Sequence, residues 1–239
     1  MTWSIVAHDP STGAFAVAVT TCAFAVGASC PFVRSGVGAV STQSMTNRYL
    51  GPAVLDGMAR GLSPAAAIEG ALAGDEGKGL RQIHAVDRHG RTAAFTGANC
   101  VEWCGDLSSN AVSFAGSMLT GPAVLADTYA AFVTNTDLPL AERLIAALEA
   151  GEAAGGDRRG RQSAALVLTT TEDFPDLSIR VDDHEAPLAE LRRLHGIWLK
   201  QRAPYLREQP SKTRPSGMTD MDTIEARWAK AGLDIRFRR

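Results

Sequence analysis

The sequence carries little net charge. Its 24 Lys and Arg stand against 26 Asp and Glu, a formal −2 at neutral pH. That balance gives no electrostatic case for a nucleic-acid partner or an anionic membrane. Long apolar runs are missing as well. None reaches the roughly 18–20 residues of a membrane-spanning helix. The N-terminus lacks the basic and apolar regions of a signal peptide. A cytoplasmic location is the resulting expectation. Cysteine is scarce, and Cys22, Cys30, Cys100 and Cys104 are too scattered for a disulfide scaffold. Cys100 and Cys104 could form half a zinc site, but no second pair at matching spacing accompanies them. His8, His84, His89, His184 and His195 form no HxH or HxxxH pair. No structural metal is expected.

What remains is ordinary for a globular protein: 45% hydrophobic residues and 21% charged over 239 positions. The organising stretch lies at the start. Residues 1–8 are mostly apolar and run into the turn Asp9-Pro10-Ser11-Thr12-Gly13. Residues 14–21 are apolar again, so the two runs read as a β-hairpin. Thr2 follows the initiator Met. If Met1 is removed, Thr2 carries a free α-amine beside its own Oγ1. Such an amine has a pKa of roughly 7.7–8.0 and can take the hydroxyl proton. That pair is a known nucleophile–base arrangement. The plainer reading is that a small second residue simply permits Met trimming.

A second hairpin is expected over residues 32–34 and 37–43, turning at Ser35-Gly36. Helices follow at residues 52–60 and 64–72, the latter capped by Ser63 with Pro64 in its first turn. A third hairpin joins residues 80–86 to 92–96. Short strands are expected at 101–103 and 111–115. Helices are expected at 122–133 and around Leu140, Leu144, Ile145 and Leu148, which share one helix face. Strands at 163–169 and 177–181 and a helix at 187–202 complete the pattern. The strands come as hairpins and are apolar on both faces. An α+β fold results, with two mainly antiparallel sheets packed together and helices outside. The domain is taken as residues 1–204. Residues 205–239 read as a tail, linker-like at first, with a short helix near 221–231.

Several stretches together resemble the N-terminal nucleophile (Ntn) hydrolase superfamily. They are Thr2-Trp3-Ser4-Ile5-Val6-Ala7-His8-Asp9, Phe24-Ala25-Val26-Gly27-Ala28, Gly36-Val37-Gly38-Ala39-Val40, Thr96-Gly97-Ala98, residues 153–165 and Arg180-Val181-Asp182-Asp183-His184. Within that superfamily the chain looks like a widespread bacterial family filed as a domain of unknown function. The likeness covers residues 2–195, and Gly155-Gly156-Asp157 is its most specific part. It implies a four-layer αββα sandwich. It also implies hydrolysis of a small, in some cases cyclic, amide through a Thr acyl-enzyme, with no metal and no organic cofactor. The family pattern carries Asn where this chain has Ser117.

The candidate site follows. Thr2 is the nucleophile. Asp157 would orient its amine, and Asn99 would donate to the oxyanion. Arg161 would grip a substrate carboxylate, with Gln162 and Ser163 beside it. Thr42 and Gln43, near Asn47, would line the pocket, as would Ser117. The plainer alternatives are a solvated basic turn after a helix for residues 157–163, loop chemistry for 41–47, and a turn-forming Asn99. Asp182, Asp183 and His184 suggest a carboxylate–histidine pair, with a structural role the better reading. A cysteine hydrolase built on Cys22 or Cys100 has no base partner in sequence. The rival from another class is a non-catalytic binding or scaffold protein on the same fold, motivated by Ser117. A small-molecule amide is the expected ligand and a homodimer the expected assembly.

Overall fold

A strand that is apolar on both faces needs cover on both sides. Thr2–Asp9 (β1) and Ala14–Thr21 (β2) are such strands; every residue of β2 is buried. A computed structural model describes residues 2–233 and shows how the cover is supplied. The other strands are Pro31–Arg34 (β3), Gly38–Ser44 (β4), Arg81–Asp87 (β5), Thr92–Thr96 (β6), Gly105–Ser109 (β7), Val112–Gly116 (β8), Ser163–Thr169 (β9) and Leu177–Val181 (β10). They form a six-stranded sheet in the order β10-β9-β2-β1-β8-β7 and a four-stranded sheet in the order β3-β4-β5-β6. All pairings are antiparallel.

The sheets face each other through Val6, Phe15 and Val17 on one side and Ala39 and Val86 on the other. Leu50–Ala59 (α1) and Pro64–Leu72 (α2) cover the outer face of the smaller sheet. Val54, Leu55, Met58, Ile68 and Leu72 pack there on Val40, Ile83 and Ala85. Ala123–Thr134 (α3) and Leu140–Ala153 (α4) cover the larger sheet. Phe114 of β8 meets Tyr129 and Phe132 of α3 edge-on, with centroids 5.6 and 5.7 Å away. The layers therefore run α, β, β, α. Local signals explain the helix starts: the Ser63 hydroxyl accepts from the Ala66 N–H at 3.3 Å, with Pro64 at the first turn.

One expectation fails. Residues 101–103 form no strand; the Val101 and Trp103 carbonyls instead accept from the Met118 and Leu119 N–H groups. The edge strand is β7, whose residues are half-buried or exposed and, apart from Leu107, not apolar. An exposed edge needs no apolar alternation, so it left no pattern to read. The described residues fall into two compact units divided between Leu191 and Arg192, within helix α5 (Pro187–Gln201). The second unit holds Ala203–Leu206 (α6) and Met221–Lys230 (α7). It is held by an Arg227–Glu208 ion pair at 3.2 Å and a Tyr205–Trp228 ring contact at 5.2 Å. Among the described residues no helix is long and apolar enough to cross a membrane.

The inter-sheet layer also holds a buried polar chain. The Ser4 hydroxyl lies 2.7 Å from Gln43 Oε1, 2.7 Å from His84 Nε2 and 3.0 Å from Ser41 Oγ. His84 Nδ1 lies 3.1 Å from Ser113 Oγ, which accepts from Ser108. Ser4 gives its single hydroxyl hydrogen to Gln43 Oε1, so His84 Nε2–H donates to Ser4 and Nδ1 accepts from Ser113. Burial drives the His84 pKa down to about 3, against a small opposing effect of the Ser113 backbone carbonyl. The sign of the linkage follows. Below pH 6.5 the unfolded chain takes up a proton at His84 that the folded chain refuses, so stability falls as pH falls. The expected contribution is a loss of about 1.4 kcal/mol per pH unit from about 6.5 down towards the folded value. Urea unfolding between pH 7 and 4 checks it: His84→Gln should show a shallower pH slope than wild type. Equal slopes would refute the assignment.

Candidate functional site

Hairpin register sets Thr2 opposite Thr21. On its other side β1 pairs Trp3 with Gly116, and the Ser117 N–H donates to the Thr2 carbonyl at 3.1 Å. Residues opposite one another on paired strands share a face. Thr2, Thr21 and Ser117 therefore look into the inter-sheet layer, as Ser4 does two residues along. Thr2 is only 4% exposed.

A relay leads away from the Thr2 hydroxyl. Thr2 Oγ1 donates to Thr21 Oγ1 at 3.2 Å, and Thr21 Oγ1 lies 3.5 Å from Asp157 Oδ2. The Asp157 carboxylate is fully buried. It accepts from the Cys22 N–H at 3.0 Å and the Arg159 N–H at 2.9 Å. The Arg159 guanidinium grips both oxygens, at 3.0 and 2.6 Å. Burial alone would raise the Asp157 pKa. The hydrogen bonds from Arg159 and Cys22 and the guanidinium charge outweigh it and hold the carboxyl below its usual range.

The turn that carries Asp157 depends on glycine. Gly155 and Gly156 have φ of +119° and +58°. A Cβ at Gly155 would stand 2.3 Å from Thr120 Oγ1. Thr120 N–H donates to the Gly156 carbonyl at 3.1 Å, and Arg158 N–H to the Met118 carbonyl at 3.2 Å. The turn is thus laced to the segment after β8, which also bears Ser117.

Of the residues expected at the site, Thr2, Asp157, Gln43 and Ser117 come together. The Gln43 amide donates to the Thr2 carbonyl at 3.3 Å, the Ala115 carbonyl at 3.0 Å and Gln82 Oε1 at 2.8 Å. Ser117 Oγ is buried and has no hydrogen-bond partner among the described residues. The others are engaged elsewhere. Thr42 Oγ1 donates to the Asn47 carbonyl at 3.3 Å. Asn99 is exposed, with its N–H on the Gly79 carbonyl at 2.7 Å. Arg161, half-exposed, pairs with Glu152 at 3.3 Å. Gln162 Nε2 donates to Asp183 at 3.1 Å. Ser163 begins β9 opposite Thr21 and shares its face; its Oγ donates to the Ala23 carbonyl at 2.5 Å and accepts from Val26 N–H at 3.1 Å, pinning the loop after β2. Asp182 pairs with Arg180, and His184 Nδ1 accepts from the Ala186 N–H at 3.0 Å. That segment is a turn and not a carboxylate–histidine pair.

Thr21 and Arg159 are not among the residues singled out from the sequence. The signal for Thr21 was present. With Asp9 opposite Ala14 across the turn, counting back along both strands reaches Thr2 and Thr21.

Comparison with known proteins agrees with this architecture. The model of a family described as "Family of unknown function (DUF1028)" matches residues 2–191. The crystal structure of protein SPO2555 from Silicibacter pomeroyi, of that family, is 31% identical with a TM-score of 0.85. The alignment covers 92% of this chain and 96% of that one. Anbu (ancestral beta-subunit) from Yersinia bercovieri aligns at 11% identity and a TM-score of 0.38, over 87% of this chain and 98% of that one. No curated protein matches the chain.

The Asp157 cluster makes a stability prediction. Asp157→Asn should cost about 1–3 kcal/mol at neutral pH, because the Arg159 fork and the Cys22 N–H lose a charged acceptor. A depressed carboxyl contributes its stability above its unfolded pKa and loses it as pH falls through the folded value. Urea curves of variant and wild type should therefore converge below about pH 4.

Proposed function

The chain belongs to the DUF1028 family, whose description leaves function open, and from its site we propose an amidohydrolase of the N-terminal nucleophile type. Thr2 Oγ1 attacks the carbonyl of a small amide, linear or cyclic. The Thr2 α-amine takes the hydroxyl proton and delivers it to the leaving nitrogen as the C–N bond breaks. An acyl-enzyme ester forms on Thr2. Water, activated by the same amine, then releases the acid and restores the hydroxyl.

One observation carries the reading: the Thr2 hydroxyl shares a buried face with the relay to Asp157 and with a Ser117 hydroxyl that has no partner among the described residues. A buried unpartnered hydroxyl is costly unless something completes it. An oxyanion developing beside Thr2 would do so, which assigns Ser117 as its donor. Asp157 acts through Thr21 and is a positioning residue. The proposal needs a chain that begins at Thr2, since an amide nitrogen there is no base. Met1 itself lies outside the described residues.

Intact mass first establishes which chains lack Met1. Those chains are then assayed against a panel of small linear and cyclic amides. Thr2→Ala should lower the rate by at least about a thousandfold, while Thr2→Ser keeps a measurable fraction. Ser117→Ala should lower kcat by about 10²–10³ with KM nearly unchanged. A Met1-free wild type that turns over an amide no faster than Thr2→Ala would refute the mechanism. Uniform retention of Met1 in the natural protein would point instead to a ligand-binding role.

A further inference from the structure

The opposite end of β1 has chemistry that the Thr2 site does not use. His8 lies six residues along the strand, about 20 Å away at about 3.3 Å per residue. A cavity of about 390 Å³ opens there between the β1–β2 turn, the β7–β8 turn and the α3–α4 connection. Its most unusual wall residue is Arg143.

Arg143 is held still without being neutralised. Its guanidinium lies over the Phe132 ring at 3.8 Å, and its Nε donates to the Phe132 carbonyl at 2.5 Å. Those contacts occupy one of five donors. Among the described residues no hydrogen bond or ion pair uses its two terminal nitrogens. Burial lowers its pKa, with the nearby Asp9 charge opposing. Asp9 does not pair with it. That carboxylate accepts from Ser11 N–H, Ser11 Oγ and Thr12 Oγ1 at 2.9, 2.7 and 2.8 Å.

His8 borders the cavity at the strand end, but its ring lies on the inter-sheet face, stacked flat on Phe15 with centroids 4.4 Å apart, and takes no part in the site. Val133, Leu138 and Leu140 beside Phe132 supply the apolar part of a wall that Ser109, Asn110 and Thr136 otherwise make polar. A fixed cationic fork and apolar side chains thus line one cavity.

We propose that this cavity binds a small organic monocarboxylate. The planar carboxylate fits the two free terminal nitrogens of Arg143 in a bidentate pair, and its hydrocarbon part lies on the apolar wall. The nearby Asp9 charge disfavours a dianion, which selects a carboxylate over a phosphate. The site is independent of the Thr2 reading and stands or falls without it.

The test is a titration of the ¹⁵N-labelled full chain with benzoate, and separately with inorganic phosphate, followed by NMR. Benzoate should produce saturable shifts in the His8, Asn110 and Ala111 amides and in Arg143 Nε. Arg143→Lys keeps the charge but loses the fork, and should weaken benzoate by about tenfold or more. Val133→Glu, at a side chain 37% exposed, puts a repelling carboxylate in the wall and should abolish those shifts while the fold is kept. Thr2→Ala should bind as wild type does, which separates this site from the hydrolase. Non-saturating shifts, unaltered affinity in Arg143→Lys or Val133→Glu, or phosphate binding as tight as benzoate would each overturn the proposal.

Discussion

The Gln43 amide is the contact on which the site depends. It belongs to the smaller sheet, yet its two N–H bonds are shared among the carbonyls of Thr2 and Ala115, on the larger sheet, and the Gln82 side chain. Its oxygen accepts from Ser4. Every member of this group is buried. In so dry a layer an unmet donor or acceptor costs more than a met one gains. The sheets are therefore fixed at one relative position wherever these groups meet. Apolar contacts such as Val6 on Val86 hold the layers together but would tolerate a slip. The amide does not, and it sets the first residue of β1 at a defined place.

Asp157 does the same work at the outer rim. One carboxylate satisfies the strand-end N–H of Cys22, the N–H of Arg159 and the Arg159 fork. The turn can reach that position because two glycines carry it past Thr120. Backbone geometry and charge are thus coupled: the carboxylate stays ionised because the turn brings its donors to it.

Much of the fold was legible because pattern and cover agree. The positions of nine of the ten strands described, the Ser63 cap and the continuous apolar β2 follow from periodicity and local chemistry. Edge strand β7 was not legible, since an exposed edge is free of the apolar constraint. The site was half legible. Thr2 and Asp157 are marked by chain position and by the Gly-Gly-Asp turn. Which of three nearby arginines meets Asp157 depends on how the turn folds, and Arg159 does so while Arg161 goes to Glu152. His84 gave no signal, because its partners Ser4 and Ser113 come from strands far apart in sequence.

The strand order has a consequence for how the molecule is made. β1 lies inside its sheet, between β2 and β8. Its hairpin partner is local, but β8 comes from the middle of the chain, and Asp157 and β9 come later still. Contacts between such distant segments form slowly, because the intervening chain must be closed first. During synthesis β1 emerges well before β8 and β9 and is thus among the last strands to be enclosed. A nascent chain shorter than the Gly-Gly-Asp turn has a threonine but no relay. The chemistry proposed for Thr2 is in this way tied to completion of the fold.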